Sequence, residues 1–179
     1  MSTRSTLALA AVAVALAHVA EARGAEGPNL GREATPIEIS GWDIDIPPDG
    51  SGLPPGAGTA VMGATVYASK CQSCHGERGA GKPNDQLVGG QGSLAGPAPV
   101  RTIGSYWPYA TTVFDYVRRA MPYQEPHSLT ADEVYAVTAY LLHLNGVIAE
   151  GEAMNAQTLP RVRMPNHGNF ILAYPPGTR

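Results

Sequence analysis

The stretch Cys71-Gln72-Ser73-Cys74-His75-Gly76 constrains this chain more than any other. Two cysteines separated by two residues and followed at once by a histidine form the pattern to which a haem is joined covalently. Each sulfur can add across one vinyl group of the macrocycle, and a turn of helix suits the spacing of the two vinyls. His75 then falls beneath the iron as proximal ligand, with its other ring nitrogen donating to a backbone carbonyl. A redox dithiol and half of a zinc site use the same cysteine spacing. Neither accounts for the adjoining histidine, and the chain has 2 cysteines in all, so no second pair can complete a structural zinc site. The motif reads as one covalent haem c.

Around this motif the sequence supplies little bulk. The chain has 179 residues, room for one domain of ordinary size. Its 21 glycines and 16 prolines make about a fifth of it, against a usual share of roughly 12%. Long irregular segments around a small core follow, and a haem would add apolar volume that the residues lack. Charged residues are 15% and the net charge is −3, which gives no surface for a polyanion; nucleic acid is not expected as a partner.

Residues 1–22 read as a secretory signal. Arg4 gives the positive start, residues 7–17 an unbroken apolar run, and Ala20-Glu21-Ala22 the small-x-small cleavage pattern. An uncleaved membrane anchor is the competing reading, but the run is shorter than the ~18 residues a spanning helix needs, and His18 interrupts it. Export to the periplasm agrees with the motif, because c-type attachment takes place outside the cytoplasmic membrane.

Residues 23–58 read as a Pro/Gly-rich arm. Thr35-Pro36-Ile37-Glu38 starts a helix of about one or two turns, with Thr35 as cap and Glu38 three residues on. Trp42, Ile44 and Ile46 alternate weakly and are expected to pack on the core or on a partner; Pro47-Pro48 and Pro54-Pro55 force turns. The domain proper is expected over residues 59–146. A helix over 59–70 turns Val61, Ala64 and Ala68 to one face, and Gly63 permits close approach of another helix.

Six glycines between 79 and 96 invite a phosphate-loop reading, but no Gly-Lys-Ser/Thr follows a strand there. Backbone wrapping closely round a flat cofactor accounts for them better, with Leu87, Val88 and Leu94 as candidates for its edge. Ser105-Tyr106-Trp107-Pro108-Tyr109 is aromatic in a chain with only 7% Phe, Trp and Tyr, so Tyr106 and Trp107 are candidates to cover the macrocycle. Arg101 is the cation able to neutralise a propionate. Core packing is the alternative for each aromatic residue. A helix opens at Thr112 and is stopped by Pro122, with Val113, Val117 and Ala120 at helical spacing. The last helix starts at Thr130, where Glu133 completes a capping box; Val134, Val137, Leu141 and Leu144 form its stripe, Tyr140 extends it, and Asn145-Gly146 ends it. Residues 147–179 lose periodicity and read as a wrapping or disordered tail.

Helix, Cys-x-x-Cys-His, glycine-rich loop, helix, Met-Pro, helix: this order resembles the small single-haem cytochrome c fold. That fold is all-α, with three main helices round one covalent haem. Longer stretches are more specific: Gly104 to Thr112, Asp115-Tyr116-Val117-Arg118-Arg119-Ala120-Met121-Pro122, Ser128 to Gly146, Trp42-Asp43-Ile44-Asp45 and Arg163-Met164-Pro165-Asn166. These are similar to the cytochrome subunit of the periplasmic sulfane dehydrogenase of the Sox sulfur-oxidising system, and to that of bacterial sulfite dehydrogenases. The resemblance spans residues 31–170.

It implies a single-electron carrier, not catalytic alone, that accepts electrons from a molybdenum-cofactor sulfite or sulfane dehydrogenase subunit and passes them to a downstream cytochrome c or oxidase. It implies Met121 as sixth iron ligand opposite His75, with Met164, His127, His143 and His167 as competitors. Tyr67, on the helix that delivers the motif, is implied to pack against the last helix. The chain departs from the pattern twice. It has one haem motif where the Sox subunit often has two, and Asp85-Gln86-Leu87-Val88-Gly89 where many relatives have Pro-x-Leu-x-Gly, which leaves open the carbonyl that accepts from His75. A free diffusible carrier and an open-iron haem sensor or enzyme are the other function classes.

Overall fold

The computed structural model describes residues 30–171 and residue 173. The expected signal at 1–22 lies outside them. Two units are distinguished, one ending at Asp43 and one beginning at Ile44.

In the first unit, α1 (Pro36–Trp42) forms as expected: Thr35 and Glu38 make a reciprocal capping box, and Pro36 sits in the first turn. Arg32 pairs with Glu38 and, with the Thr35 bonds, holds its carboxyl down at about 2. No residue of this helix is buried, and Trp42 is 89% exposed.

The second unit is built on α2 (Ala60–Lys70), α4 (Ala110–Ala120) and α5 (Ala131–Leu144), with the one-turn α3 (Gln72–His75) following α2 directly. α5 is the central element, buried almost all round from Val134 to Ala139 and again at Leu141 and Leu142. Its start is fixed by the capping box between Thr130 and Glu133. α2 packs across it more extensively than any other pair of elements.

The buried face of α2 is Ala60, Gly63 and Tyr67, not Val61, Ala64 and Ala68; Val61 is 61% exposed. The reason is backbone contact. A Cβ on Gly63 would lie 1.9 Å from the Ala136 carbonyl oxygen, so the side of α2 that lacks a side chain must face α5. Tyr67 then meets Tyr140 with ring centroids 5.4 Å apart, as implied for it. α4 begins at Ala110, two residues before the expected Thr112, with the extended Tyr109 as its cap residue and no side-chain cap bond.

Residues 44–58 and the tail are part of this unit. Ile46 is 3% exposed, and its N–H donates to the buried Asp115 carboxylate at 3.1 Å. The Tyr135 hydroxyl donates to the Pro54 carbonyl at 2.9 Å. β1 (Ala57–Gly58) pairs antiparallel with β2 (Met154–Asn155), Gly58 opposite Met154. Met154, Leu159 and Met164 are buried in the core. Among the described residues, no helix is long and apolar enough to cross a membrane.

Candidate haem cavity

One cavity of about 470 Å³ collects residues from all four α-helices of the second unit. α2 and α3 contribute Tyr67, Cys71, Cys74 and His75. Leu87, Arg101, Thr102 and Ile103 come from the glycine-rich stretch and the segment after it, Val113, Tyr116 and Val117 from α4, and Val137 and Leu141 from α5. Trp107 and Met121 complete the wall. The lining is apolar where the helices face inward and polar where residues 83–86, Lys70 and Arg101 reach it, which suits a flat apolar group with charged substituents at one edge.

The sequence order dictates this convergence. Cys71 closes α2, its N–H bonding back to the Tyr67 carbonyl, and the His75 N–H bonds to the Cys71 carbonyl, so Cys71 and the turn of α3 that follows it present both sulfurs and the imidazole together. Tyr67 stands against this turn and donates to the Gly76 carbonyl at 2.9 Å. The backbone then folds back. Gly76 has a positive φ, and its position in space is filled to 2.3 Å by the Gly81 carbonyl, so no other residue fits there. That return brings the Asp85 carbonyl 2.8 Å from His75 Nδ1. A carbonyl only accepts, so Nδ1 carries the proton and Nε2 is left bare for a metal. Asp85 thus supplies the acceptor that the missing Pro-x-Leu-x-Gly pattern left open.

Burial pushes the Cys71 thiol up to about 11, with the charge of Cys74 acting in the same direction. A redox dithiol needs the reverse, a lowered pKa that supplies thiolate. Among the described residues no group of three or more Cys, His, Asp and Glu stands together so as to hold a metal ion.

The other candidates divide clearly. Met121 lines the cavity, in extended backbone just beyond α4. Met164 is buried 1% exposed in the core and His127, His143 and His167 lie elsewhere; none of the four lines the cavity. His143 and His167 direct Nδ1 at the carbonyls of Ile148 and Pro108. Leu87 lines the cavity whereas Val88 and Leu94 do not; Val88 packs over Gly79 instead. Arg101 and Trp107 line it, and Trp107 meets Tyr116 edge-on at 5.7 Å. Tyr106 points outside, with the Arg101 guanidinium 5.7 Å from its ring centroid.

Two residues that the sequence reading passed over hold the wall in place. Thr102 donates to the Gly89 carbonyl and exchanges hydrogen bonds with Ser105. Asn145, at the end of α5, donates to the Leu87 carbonyl at 3.2 Å and accepts from the Gly89 N–H at 3.0 Å. The helix-ending role read for Asn145 gave no sign of this second task.

Comparison with known proteins agrees with the cavity. Residues 60–145 match the family model described as "Cytochrome c". No curated protein matches the chain. Among solved structures, a chain of the sulfane dehydrogenase SoxCD from Paracoccus pantotrophus is 46% identical, with a TM-score of 0.75, over 83% of this chain and 72% of that one. The mostly helical unit, the covalent haem c that the family carries and this likeness agree: the chain belongs to the c-type cytochromes, the electron-transfer proteins of the cytochrome c family, and is closely related to the SoxCD cytochrome subunit.

Proposed function

We propose that the chain is a periplasmic single-haem subunit that relays electrons for a molybdenum-dependent sulfite or sulfane dehydrogenase, delivering them to a downstream cytochrome c or oxidase. Cys71 and Cys74 hold the haem through thioethers. His75 and Met121 would ligate its iron, and Arg101 and Trp107 would meet its charged edge, with Tyr106 supporting Arg101 from outside. The observation that carries this reading is the gathering of the Cys-x-x-Cys-His turn and Met121 on the wall of one cavity, with His75 Nε2 free of any hydrogen-bond partner role that Nδ1 already fills. The partner class rests on the likeness to SoxCD. An oxidation at molybdenum releases two electrons, and a haem accepts one at a time with little change in structure, so the chain itself binds, insulates and relays.

A free diffusible carrier is the second reading, favoured by the packing of residues 44–58 and of the tail on the chain's own core. Among the described residues, the segment 30–43 leaves Ile37 and Trp42 exposed for a partner. Purifying the exported full chain under native conditions and assaying molybdenum, iron and reduction by sulfite or a sulfane donor separates the readings. Removing residues 30–43 is expected to leave haem content normal and abolish complex formation; the cut stops short of Ile44 because Ile46 belongs to the core. Unchanged assembly and electron transfer would remove the segment 30–43 from the interface, whereas a full chain that purifies alone, without molybdenum, would be assigned to the free carriers.

A further inference from the structure

The tail grips the aromatic segment beside the cavity at successive residues. Asn166 is buried and its Nδ2 donates to the Tyr106 carbonyl at 2.7 Å, while its Oδ1 accepts from Asn169 at 3.0 Å. His167 Nδ1 donates to the Pro108 carbonyl at 3.3 Å and its ring stands edge-on to Tyr109 at 5.1 Å. Phe170 stands edge-on to Tyr106 at 5.5 Å. The carbonyls of both neighbours of Trp107, Tyr106 and Pro108, are therefore held by the tail, which restrains the direction in which the Trp107 side chain enters the cavity wall. The same Tyr106 ring carries the guanidinium of Arg101, the cation of that wall. None of Asn166, His167 and Phe170 lines the cavity.

We propose that Asn166 is a positioning residue for the redox centre: the segment 164–170 sets the midpoint potential of the haem by holding Arg101 and Trp107 against its edge, without touching the haem. The inference rests on the reading of the cavity as the haem site. A fixed positive charge at the edge of the haem favours the form with one positive charge fewer, the reduced one. The Trp107 indole keeps water from the same edge, and both effects raise the potential. A buried amide that has lost its acceptor is costly, so the grip on Tyr106 is firm as long as Asn166 is present.

The test is potentiometric titration of the full-length holoprotein, followed through its visible bands, for Arg101→Gln, Asn166→Leu and the double variant. Asn166→Leu keeps the volume and adds no charge. It is expected to lower the midpoint potential, and in the Arg101→Gln background the shift is expected to shrink to less than half. Should Asn166→Leu fail to take up haem, Phe170→Ala replaces it, since that ring is half exposed and its loss leaves the core intact. No shift from the tail variant, or the same shift with and without Arg101, overturns the proposal. A shift from Arg101→Gln alone would then leave Arg101 at the haem edge and remove only the part given to the tail, whereas an unmoved potential in Arg101→Gln removes Arg101 from that edge as well; the haem seat itself rests on the attachment motif in either case.

Discussion

Replacing Gly63 by alanine tests the construction of the cavity most directly. In an isolated helix the change would stabilise by about 1 kcal/mol, because alanine is the better helix former. Here the new methyl would lie 1.9 Å from the Ala136 carbonyl oxygen, 2.5 Å from its carbon and 2.7 Å from Tyr140 Cβ. Two of these are backbone atoms that no rotamer change can move, so α2 and α5 must separate by roughly 1.5 Å to restore ordinary contact. Overpacking of this kind costs about 1–3 kcal/mol, and the separation also loosens the Tyr67–Tyr140 contact. Set against that gain and with the loosened ring contact included, the expected net loss is about 1–2 kcal/mol, a fall in melting temperature on the order of 5 °C. Guanidinium unfolding of the holoprotein, followed both by far-ultraviolet circular dichroism and by the haem absorption, measures it. Gly41→Ala in α1 is the control, because a methyl there meets nothing within 4 Å and should cost no stability. A Gly63→Ala protein as stable as its parent would refute the crossing described for α2 and α5.

Three further outcomes are expected. Met121→Ala should abolish the far-red sulfur-to-iron charge-transfer band of the oxidised protein and lower its potential; a band that survives assigns the sixth position to another residue. Burial pushes the Tyr67 phenol up to about 12 from an ordinary 10.0, so its share of stability is fully present below pH 10 and is lost as the pH rises through 12. Tyr67→Phe should flatten the fall of stability between those two pH values; an unchanged alkaline slope would reject the assignment. Thr138 Oγ1 is buried without a partner, so Thr138→Val should stabilise by about 1 kcal/mol in the same denaturant series, and a clear loss would mean that the hydroxyl is bonded after all.

What the sequence revealed was what local chemistry encodes. The capping boxes at Thr35 and Thr130 need only residues three apart, and both formed where they were read. The Cys71–His75 turn likewise carries its geometry within itself. The face of α2 was misread because that helix is small-residue and apolar nearly throughout; which side turns inward depends on Ala136, far along the chain, and not on any periodicity. The same distance hid the fate of residues 44–58. Ile46 is held by Asp115 and Pro54 by Tyr135, partners about 70 and 80 residues away that leave no mark on the local pattern. Within the site, Arg101, Trp107 and Met121 were legible as types able to meet a haem. Thr102 and Asn145 were not, because their work is to bond backbone carbonyls and amides whose positions only the fold defines.

The pairing of Gly58 with Met154 bears on how such a chain can fold at all. Gly58 also lies against the Ala136 backbone, so the bridge completes the covering of α5 at its most tightly packed point. Everything from the start of α2 to the end of α5 lies within the loop that this bridge closes. Contacts so distant in sequence form slowly, because chain entropy is lost before any enthalpy is gained. The Cys-x-x-Cys-His turn, by contrast, is complete as soon as five residues are available. The attachment segment can therefore take its shape before the bridge forms, and closure of the core is expected as the later event.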